Sequence, residues 1–140
     1  MRSQMMMSKI LVAVILGAIV TASPSAATHF DINVINQLSH DRKLSVHCQS
    51  KDTNLGSRKL AVGEVYGWGF SRNIFGTTLF WCNLSCHGGH NRLSFNAYDE
   101  SQGKGMKPIY ELNWELKDDG LYFHDKDSGM EVLVAPWMQQ

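Results

Sequence analysis

The sequence predicts an all-β fold, an antiparallel β-sandwich of about eight short strands, on three observations. Apolar residues recur with a period of two, and not the 3.6 of a helix, through almost the whole chain after residue 28. Clusters of Gly, Asp, Asn and Ser interrupt that alternation at short intervals. Nothing beyond the N-terminal segment reads as a long helix.

The strands follow in order. Phe30, Ile32 and Val34 alternate with Asp31 and Asn33, and Leu44, Val46 and Cys48 alternate with Ser45 and His47. Tyr66, Trp68 and Phe70 are set between Gly67 and Gly69. Thr78, Phe80, Cys82 and Leu84 form one face of the next run, followed by Leu93, Phe95 and Ala97. The clearest alternation is Tyr110, Leu112, Trp114 and Leu116 against Glu111, Asn113, Glu115 and Lys117, which predicts one dry and one wet face. Leu121 and Phe123 begin another strand, and Met130, Val132 and Val134 mark the last. Asp118-Asp119-Gly120 and Asp127-Ser128-Gly129 are hairpin turns between these last strands. Asp118 and Asp119 are therefore turn residues and not a catalytic carboxylate pair. His87 to Asn91 and Ser101 to Lys107 are loops.

Residues 1–27 have the order of a secretory signal peptide. Arg2 and Lys9 supply a basic start, no acid precedes Asp31, and Ile10 to Val20 is an apolar run of 11 residues. A membrane span needs about 20 such residues, so this run is too short. Small residues follow, and cleavage after Ala27 fits best, with cleavage after Ser25 as the alternative. The mature domain is then 28–140. Arg2 and Lys9 leave with the leader, so 13 basic residues fall to 11 against 13 acidic ones, a net charge of −2. That balance argues against nucleic acid or an anionic membrane as an electrostatic partner.

Secretion makes disulfides plausible, and three cysteines leave one thiol over. Cys82 and Cys86 are four apart, too far to bond within one regular strand. Cys48 with Cys82 is the preferred pair, closing a loop of about 35 residues worth ~3–4 kcal/mol. Cys86 is then free or bonds another chain. Asn83-Leu84-Ser85 is an N-glycosylation sequon. If Cys82 faces inward, Asn83 and Trp81 face solvent.

The segments resemble the plant self-incompatibility protein family, also called S-protein homologues. Val46-His47-Cys48-Gln49-Ser50-Lys51-Asp52 with Leu55-Gly56 is similar to its first signature. Gly63-Glu64 with Tyr66 to Phe70, and then Asn73 to Cys82, resemble the second and third, the third being the most specific. Phe95 to Asp99, Trp114 and Asp119 to Tyr122 resemble the later blocks. The likeness runs over roughly residues 42 to 124, in order. The family pattern usually carries two more cysteines before its final tryptophan, one at the place of Leu112, and both are missing here. Their joint absence suggests that they normally bond each other, which again favours Cys48–Cys82; if the family instead pairs early with late cysteines, Cys48 and Cys82 are both left without partners here. The resemblance implies a small secreted β-sandwich without enzymatic activity or cofactor. It implies a ligand for a cell-surface receptor, with pollen–pistil recognition as the best-understood role. Exposed loops are the expected recognition sites: Ser50 to Lys59, His87 to Arg92 and Asp99 to Lys107.

Two other classes compete. Cys82, Cys86, His87 and His90 pack two thiols and two imidazoles into nine residues, which suits zinc or copper. The spacing matches no standard zinc module, and an oxidising compartment disfavours free thiols. A secreted hydrolase is the second alternative, with His47 and His124 as an acid–base pair. No Gly-x-Ser-x-Gly or His-Glu-x-x-His supports it. Trp68 and Trp114 sit at strand spacing and belong to the core rather than to a sugar platform.

Overall fold

A computed structural model describes residues 29–102 and 110–139, which form ten strands in two sheets. The strands are β1 (His29–Asn36), β2 (Leu44–Ser50), β3 (Asn54–Leu60), β4 (Val65–Ser71) and β5 (Leu79–Cys86). They continue with β6 (Asn91–Asp99), β7 (Glu111–Lys117), β8 (Gly120–Asp125), β9 (Met130–Pro136) and β10 (Met138–Gln139). The first sheet has the order β4-β1-β7-β8-β9 and the second β10-β6-β5-β2-β3. The predicted leader, residues 1–27, and residues 103–109 of the loop after Asp99 lie outside the described residues.

The all-β sandwich is as the alternation predicts, with two corrections. One pair is parallel: β1 runs alongside β7, with Asp31 opposite Glu111 and Asn36 opposite Leu116. Parallel neighbours need a long crossover, and the chain supplies one by passing through β2 to β6 first. Second, Asn54–Leu60 is strand and not loop. It forms the edge of the second sheet, antiparallel to β2. Ser57, Arg58 and Lys59 stay exposed there and only Leu60 is buried, so the segment shows no apolar alternation. Charged residues on an edge also discourage pairing with other chains.

Inward residues of both sheets make one core. Ile32, Val34, Leu44, Val46, Cys48, Leu60, Cys82, Leu116 and Leu121 are essentially inaccessible. Trp68, Phe70, Phe95 and Trp114 pack partly buried against them. Polar groups tie the sheets across this core. The Tyr66 hydroxyl donates to the Gly56 carbonyl at 2.7 Å, and Trp114 Nε1 donates to the Ala97 carbonyl at 3.1 Å. Asn36 is fully buried at the end of β1. Its Nδ2 donates to the carbonyls of Arg42 and Leu60, both at 2.8 Å, and its Oδ1 accepts from Leu38 N–H at 2.9 Å. Every arm of that amide is used, which is what makes a buried polar side chain tolerable.

The wet face predicted for β7 is also corrected. Asn113 and Glu115 do point away from the core side, yet both are buried, at 1% and 4% exposure. β7 is the middle strand of five, and Asn33 of β1, Gln37 just after it, His124 of β8 and Glu131 of β9 gather around these two side chains. Asn33 donates to Asn113 Oδ1 at 3.1 Å, and Gln37 donates to Glu115 Oε1 at 3.2 Å. The β7–β8 hairpin differs in detail too. Asp118 and Asp119 make its turn, and Gly120 pairs with Lys117. Gly120 has φ of +151°, and a Cβ there would collide with the Ala135 carbonyl oxygen and Pro136 Cα of β9. The glycine serves close strand approach and not the turn itself.

Register sorts the loops between two ends. The β2–β3 turn, the β4–β5 loop, the segment after β6 and the β8–β9 turn share one end. His87 to His90, between β5 and β6, lies at the other.

Candidate functional site

Cys48 and Cys82 face each other across β2 and β5 and form a disulfide, buried beneath the second sheet. Cys86 is free and 3% exposed. Burial pushes its thiol pKa up, so it is a poor nucleophile held out of reach. Of the two states expected for Cys86, free or bonded to another chain, burial favours the free thiol. It also dissolves the four-residue metal group. Cys82 is oxidised and Cys86 points into the core, while His87 and His90 stand exposed on a short 3-10 turn.

His47 and His124 lie on the outer faces of opposite sheets, so they do not form an acid–base pair. His47 Nε2 is bonded to Asn54 Oδ1 at 2.7 Å. Asn83 is exposed in the middle of β5, where its Oδ1 accepts from the Ser94 hydroxyl at 2.6 Å. It stands in a shallow groove of about 360 Å³ together with Ser45, His47, Ser57, Arg92 and Ser94. Trp81, expected to be exposed beside it, is half-buried. The β5–β6 ladder shifts register between Phe80 and Trp81, the site of a β-bulge or irregularity.

Of the expected recognition loops, Ser50 to Lys59 reduces to a tight turn. Ser50 N–H donates to the Thr53 carbonyl at 2.8 Å, and β3 begins at once. His87 to Arg92 is compact and at the far end. Asp99 to Lys107 is described only to Gln102, where Asp99 Oδ1 caps Ser101.

The two most exposed large apolar side chains among the described residues lie elsewhere, on the β4–β5 loop. Ile74 is 92% exposed and Phe75 80%. Both stand on an ordered turn built by Asn73. Its Oδ1 accepts from the N–H groups of Phe75 and Thr77, each at 3.1 Å. Its Nδ2 donates to Thr77 Oγ1 at 3.0 Å, and its own N–H donates to Thr78 Oγ1 at 2.8 Å. Gly76 takes φ of +69°, the left-handed conformation the turn requires. Arg72 and Thr78, flanking the loop, are both anchored on Glu100, at 3.4 Å each. Two large apolar side chains are thus held in water by a braced frame. The available signal is their position between Asn73 and Gly76, two residue types that favour turns.

Fold and surface together define a small disulfide-bonded β-sandwich that carries a braced, exposed apolar loop. The chain belongs to the plant self-incompatibility protein S1 family, which its residues 31–137 match. It is 40% identical to S-protein homolog 21 of Arabidopsis thaliana over 109 residues, covering 76% of this chain and 81% of that one. It is 25% identical to self-incompatibility protein S1 of Papaver rhoeas over 116 residues, covering 83% of each. The fold is that of a solved SPH (self-incompatibility protein homologue) structure, from a family described as small, highly stable, secreted proteins from plants. The TM-score is 0.62 at 21% identity, over 79% of this chain and 95% of that one.

Proposed function

We propose that the protein is a secreted, non-enzymatic signalling ligand that binds a cell-surface receptor, and that the receptor reads the β4–β5 loop. The observation that carries this reading is the exposure of Ile74 and Phe75 on a hydrogen-bonded turn. An isolated apolar pair on a pre-ordered loop loses little conformational freedom on binding and gains most of its burial there. Family membership supports the class of action, with pollen–pistil recognition as its best-understood form. Residues 1–27 act as the leader, and Asn83, exposed within its sequon, carries a glycan.

The test uses fluorescently labelled mature protein, residues 28–140, on intact plant cells. Saturable binding is expected for the wild type. Ile74→Ser/Phe75→Ser is expected to abolish binding while leaving the circular dichroism spectrum and Tm unchanged. A folded double variant that binds like the wild type would sink the loop assignment. Turnover of RNA, peptide or ester substrates above blank would sink the ligand reading, and transcripts confined to roots or seeds would remove the pollen–pistil role. The mass of the secreted protein, compared with Asn83→Gln, decides glycosylation.

A further inference from the structure

We propose that Glu115, His124 and Glu131 form a binding site for a divalent transition-metal ion of the Zn²⁺ kind on the outer face of the first sheet. The three come from three adjacent strands, and pairing alone assembles them. His124 on β8 lies opposite Asn113 of β7 on one side and opposite Glu131 of β9 on the other. Glu115 is two residues along β7 from Asn113 and so shares its face. His124 Nδ1 is 3.0 Å from Glu115 Oε1 and 3.9 Å from Glu131 Oε1. One donor atom from each residue lies within 4.8 Å of the others. Donors bound to one ion at ~2.0–2.2 Å stand roughly 3.0–3.5 Å apart, so only the more exposed Glu131 needs to swing in.

A second, independent feature points to a ligand. The Glu115 side chain is 6% exposed, and its Oε2 is buried with no hydrogen-bond partner. Gln37 and His124 both serve the other oxygen, Oε1, at 3.2 and 3.0 Å. A carboxylate oxygen removed from water without a partner is costly, and native structures rarely keep one. A cation held by both oxygens of the Glu115 carboxyl would give Oε2 the partner it lacks.

The surroundings resemble the support that metal ligands usually have. Lys117 Nζ donates to Glu131 Oε2 at 2.8 Å, which leaves Oε1, the oxygen nearer His124, available. Gln37 steadies the Glu115 carboxyl. One imidazole and two carboxylates, with no thiol, suit Zn²⁺ or Mn²⁺ over Cu⁺, and the imidazole disfavours Ca²⁺ and Mg²⁺. This site is independent of the receptor reading and of the β4–β5 loop.

The experiment is calorimetric titration of the disulfide-bonded protein with Zn²⁺, Mn²⁺ and Ca²⁺ at neutral pH. One equivalent of Zn²⁺ is expected, with weaker Mn²⁺ and no Ca²⁺ binding. His124→Asn and Glu131→Gln should each raise the Zn²⁺ Kd by more than about tenfold, a cost usual even for residues that only support a ligand. His87→Asn/His90→Asn, which removes the other exposed histidine pair, should leave it unchanged. In amide NMR spectra of the wild type, substoichiometric Mn²⁺ should broaden signals of β7, β8 and β9 first, and this readout stands even if a variant fails to fold. No Zn²⁺ binding, binding that survives His124→Asn, or broadening centred on His87 to His90 would each overturn the site and leave the trio an ion-pair network.

Discussion

At the centre of the first sheet's outer face, Asn113 and Glu115 are almost sealed from water; at the centre of the second sheet's, Asn83 and Ser94 stand in an open groove. Both faces obey the same polar-outward alternation. They differ in their neighbours. Gln37, His124 and Glu131 reach over Glu115 of β7, whereas the short side chains of Ser45, Ser57 and Ser94 leave the second face open. The sheets are also locked by different means. The second carries its cross-link, Cys48–Cys82, on its core side, and the first relies on side-chain hydrogen bonds on its outer side. Strand patterning thus decides which way a residue points, while the length of its neighbours decides whether it meets water.

The largest expected effect tests the covalent lock. Cys48→Ala/Cys82→Ala should cost about 3–4 kcal/mol in urea denaturation, because the unfolded chain regains the freedom of the closed loop. A cost under about 1 kcal/mol would show that the second sheet does not depend on its cross-link.

Two buried polar residues then separate structural need from spare capacity. Asn36→Leu should cost about 2–3 kcal/mol, since it strands the carbonyls of Arg42 and Leu60 and the N–H of Leu38. Glu115→Leu should stay within about 1 kcal/mol of wild type or stabilise, because it removes a buried charge whose remaining partners lie at the surface. Chemical denaturation of both variants checks the contrast. Equal losses would mean that the roofed face is as structural as the core seam.

Acid should distinguish the sheets more gently. Glu111, Asp118, Asp125 and Glu131 are all held below the usual carboxylate range. The main causes are hydrogen bonds from Lys126, Ser39, Ser128 and Lys117 respectively. A carboxyl lowered in the folded state stabilises it above the unfolded pKa, and that contribution disappears as pH falls through the folded pKa. All four flank or lie on β7–β9. Below about pH 4, hydrogen-exchange protection should therefore fall in β7–β9 before β2 and β5. Simultaneous loss in both sheets would reject this division. The smallest effect belongs to the open groove: Ser94→Ala should change stability by no more than about 0.5 kcal/mol in chemical denaturation, since its bond to Asn83 is exposed.

How much of this is legible in the sequence depends on how local the cause is. Period-two alternation exposes β1, β2, β7 and the sandwich class because the core contacts one face of each strand. β3 escapes, since an exposed edge needs no apolar stripe and Gly56 reads as a turn. The β1–β7 pair escapes because nothing local encodes a partner so far along the chain. The Glu115–His124–Glu131 trio is assembled only by register across three strands, and each residue alone reads as ordinary surface. Ile74 and Phe75 invite the opposite error, because large apolar residues suggest a core that their turn denies them.

The parallel pairing of β1 with β7 also governs when the protein can fold. Asn33 meets Asn113 across 80 residues of chain. As a nascent polypeptide grows, β1 finds β4 early but has an unpaired second edge until β7 has emerged. Such high contact order makes folding slow and concerted, and it denies partial chains a stable resting state. A product cut short before Glu111 lacks the middle of its first sheet, so its exposed strands offer themselves to proteases and to aggregation instead.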